Sequence, residues 1–241
     1  MRAELIDVMG SDLSVVNAAR VSFDKKSEWD IDYCNVCHVE CRSEDCECDG
    51  EGRLFNLKVG DQKLINYLAK HGHFTPFTHC VITLRETVPI FVARQRFKHT
   101  IGFTYNEISR RYVDDTPEFY TPDVWRSRPE GSVKQGSGGE FDIYSDEAHM
   151  LDEEYKEFLY QAGRMYEWMI DKGVAPEQAR MVLPQSMMTS YYTTGSLFAF
   201  ARAYLLRSDD HSQKEIQMLA VEWDKLIRPL YPVSWSALVD K

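Results

Sequence analysis

The chain lacks any apolar run long enough to cross a membrane, and its first ten residues are polar and acidic at intervals, unlike a secretory leader. A cytoplasmic location, away from membranes, is therefore the expectation. Positive charge is also scarce. Lys and Arg number 28 against 38 Asp and Glu, a net charge of −10. A polyanion such as DNA or RNA favours a broad basic surface, so a nucleic-acid polymer is excluded as partner. Cysteine is nearly absent outside one cluster, with only Cys80 beyond Cys34–Cys48. In a reducing compartment such a cluster reads as thiols or a metal site, not disulfides. No internal repeat is present. What remains is an ordinary globular composition, 44% hydrophobic over 241 residues. That length suits a single domain spanning 1–241, with an insertion at about 26–53 and a loop at about 126–150.

The apolar spacing predicts a short helix over 13–21, with Ser11 or Asp12 as N-cap. Residues 26–53 hold five cysteines and many acids but few aliphatics, and read as a surface insertion. A helix over 62–70 ends at His71-Gly72. The β-branched stretch 78–87 reads as a strand. Pro89 suits the first turn of a helix that runs to about Thr100–Gly102, followed by a loop over 104–112. Tyr155, Phe158, Leu159, Ala162, Met165, Tyr166, Met169 and Ile170 mark one buried face of a helix over 152–172. A short helix at 176–183, a strand at 187–194 and helices at 196–206 and 213–226 complete an α+β pattern.

Charge is unevenly spread. Arg85 to Arg111 contains six Lys or Arg and two acids, about +4 within an acidic chain. A local cationic patch of this kind points to a small phosphorylated ligand. Gln95, Lys98 and His99 fall at helical spacing, and Asn106, Glu107, Ser109, Arg110 and Arg111 follow. Arg suits bidentate contact with phosphate or a carbonyl-bearing ring. A surface helix laced with salt bridges accounts for the same residues. Arg180 and Arg207 each stand among apolar neighbours, where a buried guanidinium needs an anionic or carbonyl partner, ligand or internal acid. His71, His73 and His79 have no recognised metal spacing and read as turn or core histidines. Cys34, Cys37, Cys41, Cys46 and Cys48, with His38, could hold a structural zinc or be reduced exposed thiols. Cys80, beside Val81 and Ile82, reads as a buried thiol and a poor nucleophile.

Several blocks in order resemble the flavin-dependent thymidylate synthases, the ThyX type. They are Asp7–Gly10, Ala18–Ser22, His71–His79, Pro89–Gln95, Tyr105–Tyr112, Ala179–Pro184 and Leu206–His211. The resemblance covers most of the chain outside 26–53 and 126–150. It implies an antiparallel sheet packed with long helices. It implies a methyltransferase that reductively methylates dUMP to dTMP, with methylenetetrahydrofolate as carbon donor and NADPH-reduced FAD as hydride source. No cysteine nucleophile is needed. By matching position, Gln95, Lys98, Glu107, Ile108, Ser109, Arg110, Arg111, Arg180 and Arg207 would contact dUMP. Arg207 would stabilise negative charge on the ring and activate C5. Ser22, His73, Thr75, Lys98, His99, Thr100, Asn106, Glu107, Arg202 and His211 are the matching FAD positions. The resemblance further implies a homotetramer with active sites between subunits.

The departures are specific. Lys98-His99-Thr100 stands where the family reads Arg-His-Arg, and one more residue precedes Ser109. Thr78 replaces an acid on the flavin side, and the segment around Ser196–Phe198 and Arg202 lacks the usual Asn-x-Arg. Two other readings compete: a nucleotide- or flavin-binding protein without turnover, and a zinc-dependent interaction module built on the cysteine cluster.

Overall fold

A computed structural model describes residues 1–34, 53–129, 136–142 and 144–240. Cys37, Cys41, Cys46, Cys48 and His38 lie outside the described residues, as do 130–135 of the expected loop. The fold is α+β and resolves into two compact units.

The first unit comprises Met1–Ile6, Thr83–Gly195 and Arg202–Asp224. Its sheet follows the order β1 (Arg2–Met9), β4 (Val81–Pro89), β6 (Met188–Ser196), β5 (Phe103–Glu107). Thr83 meets Thr194 at 2.9 Å and Thr87 meets Ser190 at 3.2 Å, so residue numbers run oppositely along β4 and β6. Strand β5 is also antiparallel to β6, with Tyr105 opposite Thr193 and Phe103 opposite Gly195. The Phe103 ring lies over that glycine, where a Cβ would overlap it.

β5 corrects the expectation of a loop over 104–112. Its alternating Phe103, Tyr105 and polar Thr104, Asn106 suit a half-covered strand, and the loop begins only after Glu107. Helix α3 (Ile90–Arg96) starts after Pro89 as expected but stops short of Thr100. Phe97 closes it, donating its N–H to Ala93 O at 2.8 Å. Lys98 and His99 therefore lie beyond the helix, not on one side of it with Gln95. Helix α4 (Asp146–Asp171) begins nearly two turns earlier than the apolar spacing suggested, because Ser145 Oγ accepts from Ala148 N at 3.2 Å. Its buried stripe is Ala148, Leu159, Ala162 and Tyr166, while Phe158 and Met165 of the expected face are exposed. Helices α5 (Pro176–Ala179), α6 (Leu197–Arg207) and α7 (Lys214–Ile227) fall where expected.

One ionic pair organises the centre of this unit. Glu86 of β4 and Arg96 of α3 are both fully buried. Arg96 Nε reaches Glu86 Oε2 at 3.1 Å, and Trp223 of α7 donates its indole N–H to Glu86 Oε1 at 2.9 Å. The guanidinium carbon lies 4.3 Å from the Phe103 ring centroid and 4.7 Å from that of Trp223. Stacking on rings suits the planar, weakly hydrated guanidinium.

The second unit comprises Asp7–Ile82, Ser196–Ala201 and Lys225–Lys241. Helices α1 (Asp12–Arg20), α2 (Val59–Lys70) and α8 (Pro232–Val239) bury Val15, Val16, Ile65, Trp235 and Leu238 together with Phe77. Composition did not announce α8. Its first turn is capped from far along the chain: Asp12 accepts from Val233 N at 2.9 Å and Ser234 N at 2.8 Å. Buried Asp61 takes hydrogen bonds from Arg20 and Ser27. The ends of the expected insertion form an antiparallel pair, β2 (Asp30–Cys34) and β3 (Arg53–Asn56). Cys80 is fully buried, and burial together with Asp12 pushes its thiol up to about 11. His71, His73 and His79 are exposed, His79 at the end of a short 3-10 helix over Thr75–His79, and among the described residues no cluster of His, Cys, Asp or Glu could hold a metal. Among those residues no helix is long and apolar enough to cross a membrane.

Breaking a buried ion pair leaves an uncompensated charge and costs about 3–5 kcal/mol, whereas replacing both members does not. Arg96→Met is expected to lose that much stability in urea unfolding, and Glu86→Leu/Arg96→Met to lose less than the single variant.

Candidate functional site

Seven of the nine expected nucleotide contacts line two clefts of the first unit. The first, about 610 Å³, is walled by β5, α3 and the residues after β5, and is lined by Glu107, Ile108, Ser109, Arg110 and Arg180. Ile108 is tied to β6 by its N–H to Ser190 O at 2.9 Å. The chain then turns, with Tyr112 N and Val113 N both directed at Ser109 O. Glu107 accepts from Thr189 Oγ1 at 2.7 Å. Arg110 bonds to Asp115 Oδ1 at 2.7 Å, and Arg111 pairs with Glu177 at 3.3 Å. Arg180, expected to be buried among its apolar neighbours, is exposed and donates to Glu177 O at 3.3 Å. Those neighbours divide around it, for Ala179 is buried while Met181 is exposed. Glu177 thus draws Arg111 and Arg180 together. The exposed Arg111–Glu177 pair is of a kind that contributes little to stability.

The second cleft, about 550 Å³, is lined by Gln95, Arg207, Asp209, His211 and Gln213 among others. Arg207, at the end of α6, is half-buried and donates from Nε to His99 Nε2 at 2.8 Å. Its Nη2 points to Gln95 O at 3.5 Å. A guanidinium only donates, so His99 accepts on Nε2 and carries its proton on Nδ1. Electrostatics agree with that neutral ring. Burial, then Arg207, Arg96 and Arg202, lower His99 to about 4. Gln95 donates to Gln213, which bonds to Glu215 Oε2 at 2.9 Å, and Arg126 closes the chain on Glu215. Burial would raise the Glu215 carboxyl, but the hydrogen bond from Arg126 holds it below the usual carboxylate range. The Gln95 amide is thereby oriented. His211 is exposed, its Nδ1 2.9 Å from Asp209 Oδ1. Hydrogen bonds from His211 lower the Asp209 carboxyl.

The structure so divides the expected nucleotide contacts. Glu107, Ile108, Ser109, Arg110 and Arg180 share the first cleft, and Gln95 and Arg207 the second. Lys98 and Thr100 are exposed on the turn after α3, Asn106 is exposed on β5, and Arg202 is exposed on α6. Ser22, His73 and Thr75 belong to the second unit, all exposed. Sequence reasoning missed Arg96, Tyr105 and Gln213. Arg96 stands four residues after buried Val92 on α3, and that spacing was the available signal for its burial.

Comparison with known proteins gives the same picture throughout. The family described as "Thymidylate synthase complementing protein" matches residues 4–233. The flavin-dependent thymidylate synthase of Thermotoga neapolitana is 34% identical over 236 residues, covering 98% of this chain and 89% of that protein. That of Kosmotoga olearia is 35% identical over 237 residues, with 98% and 89% covered. Among solved structures, the UMP/dUMP methylase PolB of Streptomyces cacaoi, bound with 5-Br UMP, superposes with a TM-score of 0.75 at 29% identity. It covers 98% of this chain and 92% of PolB.

The His99 environment sets a pH response. An unfolded His takes up a proton near its ordinary 6.5, and the folded one only near 4. The unfolded chain therefore binds more protons between those values, and stability falls as pH drops through that window. His99→Asn, neutral throughout, is expected to flatten the fall of Tm between pH 6.5 and 4 relative to the parent protein.

Proposed function

The chain belongs to the flavin-dependent thymidylate synthases, and we propose that it converts dUMP to dTMP with methylenetetrahydrofolate as carbon donor, FAD as the flavin and NADPH as reductant. The observation that carries this reading is Arg207, held by His99 at the edge of a cleft within a chain matched over residues 4–233. The name of PolB, a UMP/dUMP methylase, supports a uridine monophosphate as substrate.

The residues present fit a flavin dinucleotide. Lys98 and Arg202 are exposed cations with no ion pair to any described residue, suited to phosphate oxygens. Neutral His99 offers a ring edge, while Thr100 and Asn106 offer exposed donors and acceptors. When bound, reduced flavin supplies the hydride that completes the methyl group. Arg207 stabilises negative charge as it develops on the pyrimidine and makes C5 nucleophilic. C5 takes the one-carbon unit from the folate and releases its proton. Cys80 takes no part, its thiol being buried and protonated.

The same reading places each active site where subunits of a homotetramer meet. Its support is the division of the nucleotide contacts between two clefts of one chain, an arrangement that lets a neighbouring chain supply one of the two sets. The family match runs through both compact units, which supports one functional domain. The proposed compartment is the cytoplasm. Thiol spacing from Cys34 to Cys48 supports, on its own, an accessory structural zinc.

Release of tritium from C5-labelled dUMP, with dTMP formed in the presence of FAD, NADPH and methylenetetrahydrofolate, tests the reaction. Binding of dUMP without release favours a protein that has lost turnover. Arg207→Ala is expected to lower kcat by about 10²–10³ while the protein stays folded; full activity would remove it from the chemistry. Arg180→Ala and Arg207→Ala, each inactive alone, should recover up to about one quarter of the parent activity when refolded together if each site draws on two chains. No recovery would place both residues in one chain's site.

A further inference from the structure

Between α3 and β5 the chain turns through residues 97–102, carrying Lys98, His99 and Thr100. Backbone bonds hold its first half: Lys98 N to Gln95 O at 3.2 Å and His99 N to Arg96 O at 3.1 Å. The carbonyl of His99 is held differently, by a side chain. Tyr105 Oη lies 2.7 Å from His99 O and 3.3 Å from Arg96 O, and Arg96 Nη1 reaches the same hydroxyl at 2.6 Å.

The proton inventory gives this arrangement a direction. A guanidinium donates and cannot accept, so the Tyr105 oxygen accepts from Arg96 and its only proton goes to the carbonyls. Burial pushes the Tyr105 phenol up to about 12, so that proton stays in place. Arg96 is itself immobile. Buried Glu86 takes its Nε, and Thr193 Oγ1 accepts from its Nη2 at 3.2 Å. The Tyr105 ring is clamped by Phe97 at 5.0 Å and Phe103 at 5.9 Å between centroids. A rigid chain of bonds thus runs from the buried Glu86 carboxylate through Arg96 and Tyr105 to the backbone of the residue that accepts from Arg207.

We infer that Tyr105 and Arg96 are positioning residues: they fix the His99 carbonyl and so hold the imidazole as the acceptor for Arg207 Nε. The inference rests on the proposed role of Arg207. Its logic is that of the outer partners that orient a functional histidine, whose loss costs about 10–100-fold in function without touching the ligand.

Tyr105→Phe tests it, because the ring and its aromatic neighbours remain and only the hydroxyl is lost. Thr83→Val serves as control, removing a hydroxyl partner of Thr194 elsewhere in the same sheet. The full chain is labelled with 15N-histidine, and the His99 ring nitrogens are assigned with His99→Asn. In the parent protein Nδ1 should carry the proton and Nε2 should be bare. In Tyr105→Phe we expect a mixture of the two tautomers, with kcat reduced about tenfold and KM for dUMP changed less than twofold. Thr83→Val should change neither. Unaltered His99 nitrogens in Tyr105→Phe would overturn the inference and leave the network a purely structural one. Altered nitrogens with full kcat would uphold the positioning of His99 and instead overturn the role given to Arg207, so the two failures are told apart.

Discussion

The ion pair between Glu86 and Arg96 is the constraint around which the first unit is arranged. Two charges fully removed from water persist only where every donor and lone pair finds a partner. Here the partners come from five elements. Glu86 stands on β4, Arg96 on α3, Trp223 on α7, Tyr105 on β5 and Thr193 on β6. Satisfying one guanidinium therefore sets the spacing of helix, sheet and turn together. Three aromatic faces close around it: Phe103, Tyr105 and Trp223. Close packing means that none of these can move without disturbing the others.

The same guanidinium acts on the cleft beside it. Arg207, Arg96 and Arg202 add their field to the effect of burial on His99, so the ring stays neutral and Nε2 remains an acceptor. A protonated imidazole would repel Arg207 and could not receive its N–H. Burial and Arg96 also lower Arg207 from its ordinary value. In the other cleft Arg110 pairs with Asp115, and beside it Arg111 pairs with Glu177. The chain thus keeps one guanidinium on a neutral partner and others on anions. An exposed pair such as Arg111 with Glu177 contributes little by itself, and in the proposed reaction Arg207 would meet negative charge on a ring.

Much of the architecture was legible because its signals are local. The segments read as helices over 62–70, 196–206 and 213–226 became α2, α6 and α7, and Pro89 marked the start of α3. The errors fell where local preference was overruled. Thr104 to Glu107 looks like a polar loop, but β6 offers it a complete ladder. Phe158 and Met165 look like core on α4, yet the covered stripe is narrower and passes through Leu159, Ala162 and Tyr166. Arg180 looked enclosed by apolar neighbours, but those neighbours split between the interior and the surface.

By itself the sequence determined the family and the α+β class and nominated candidate site residues, because ordered motifs and helical periodicity are written in consecutive positions. Tertiary structure alone decided which of those residues meet. It put Gln95 and Arg207 in one cleft and Glu107 and Arg180 in another. It set His99 against Arg207, buried Arg96 on Glu86, and capped α8 with Asp12. Each of these joins residues from different elements. Their reality depends on desolvation and on the direction of individual protons, and neither exists until the chain has closed around them.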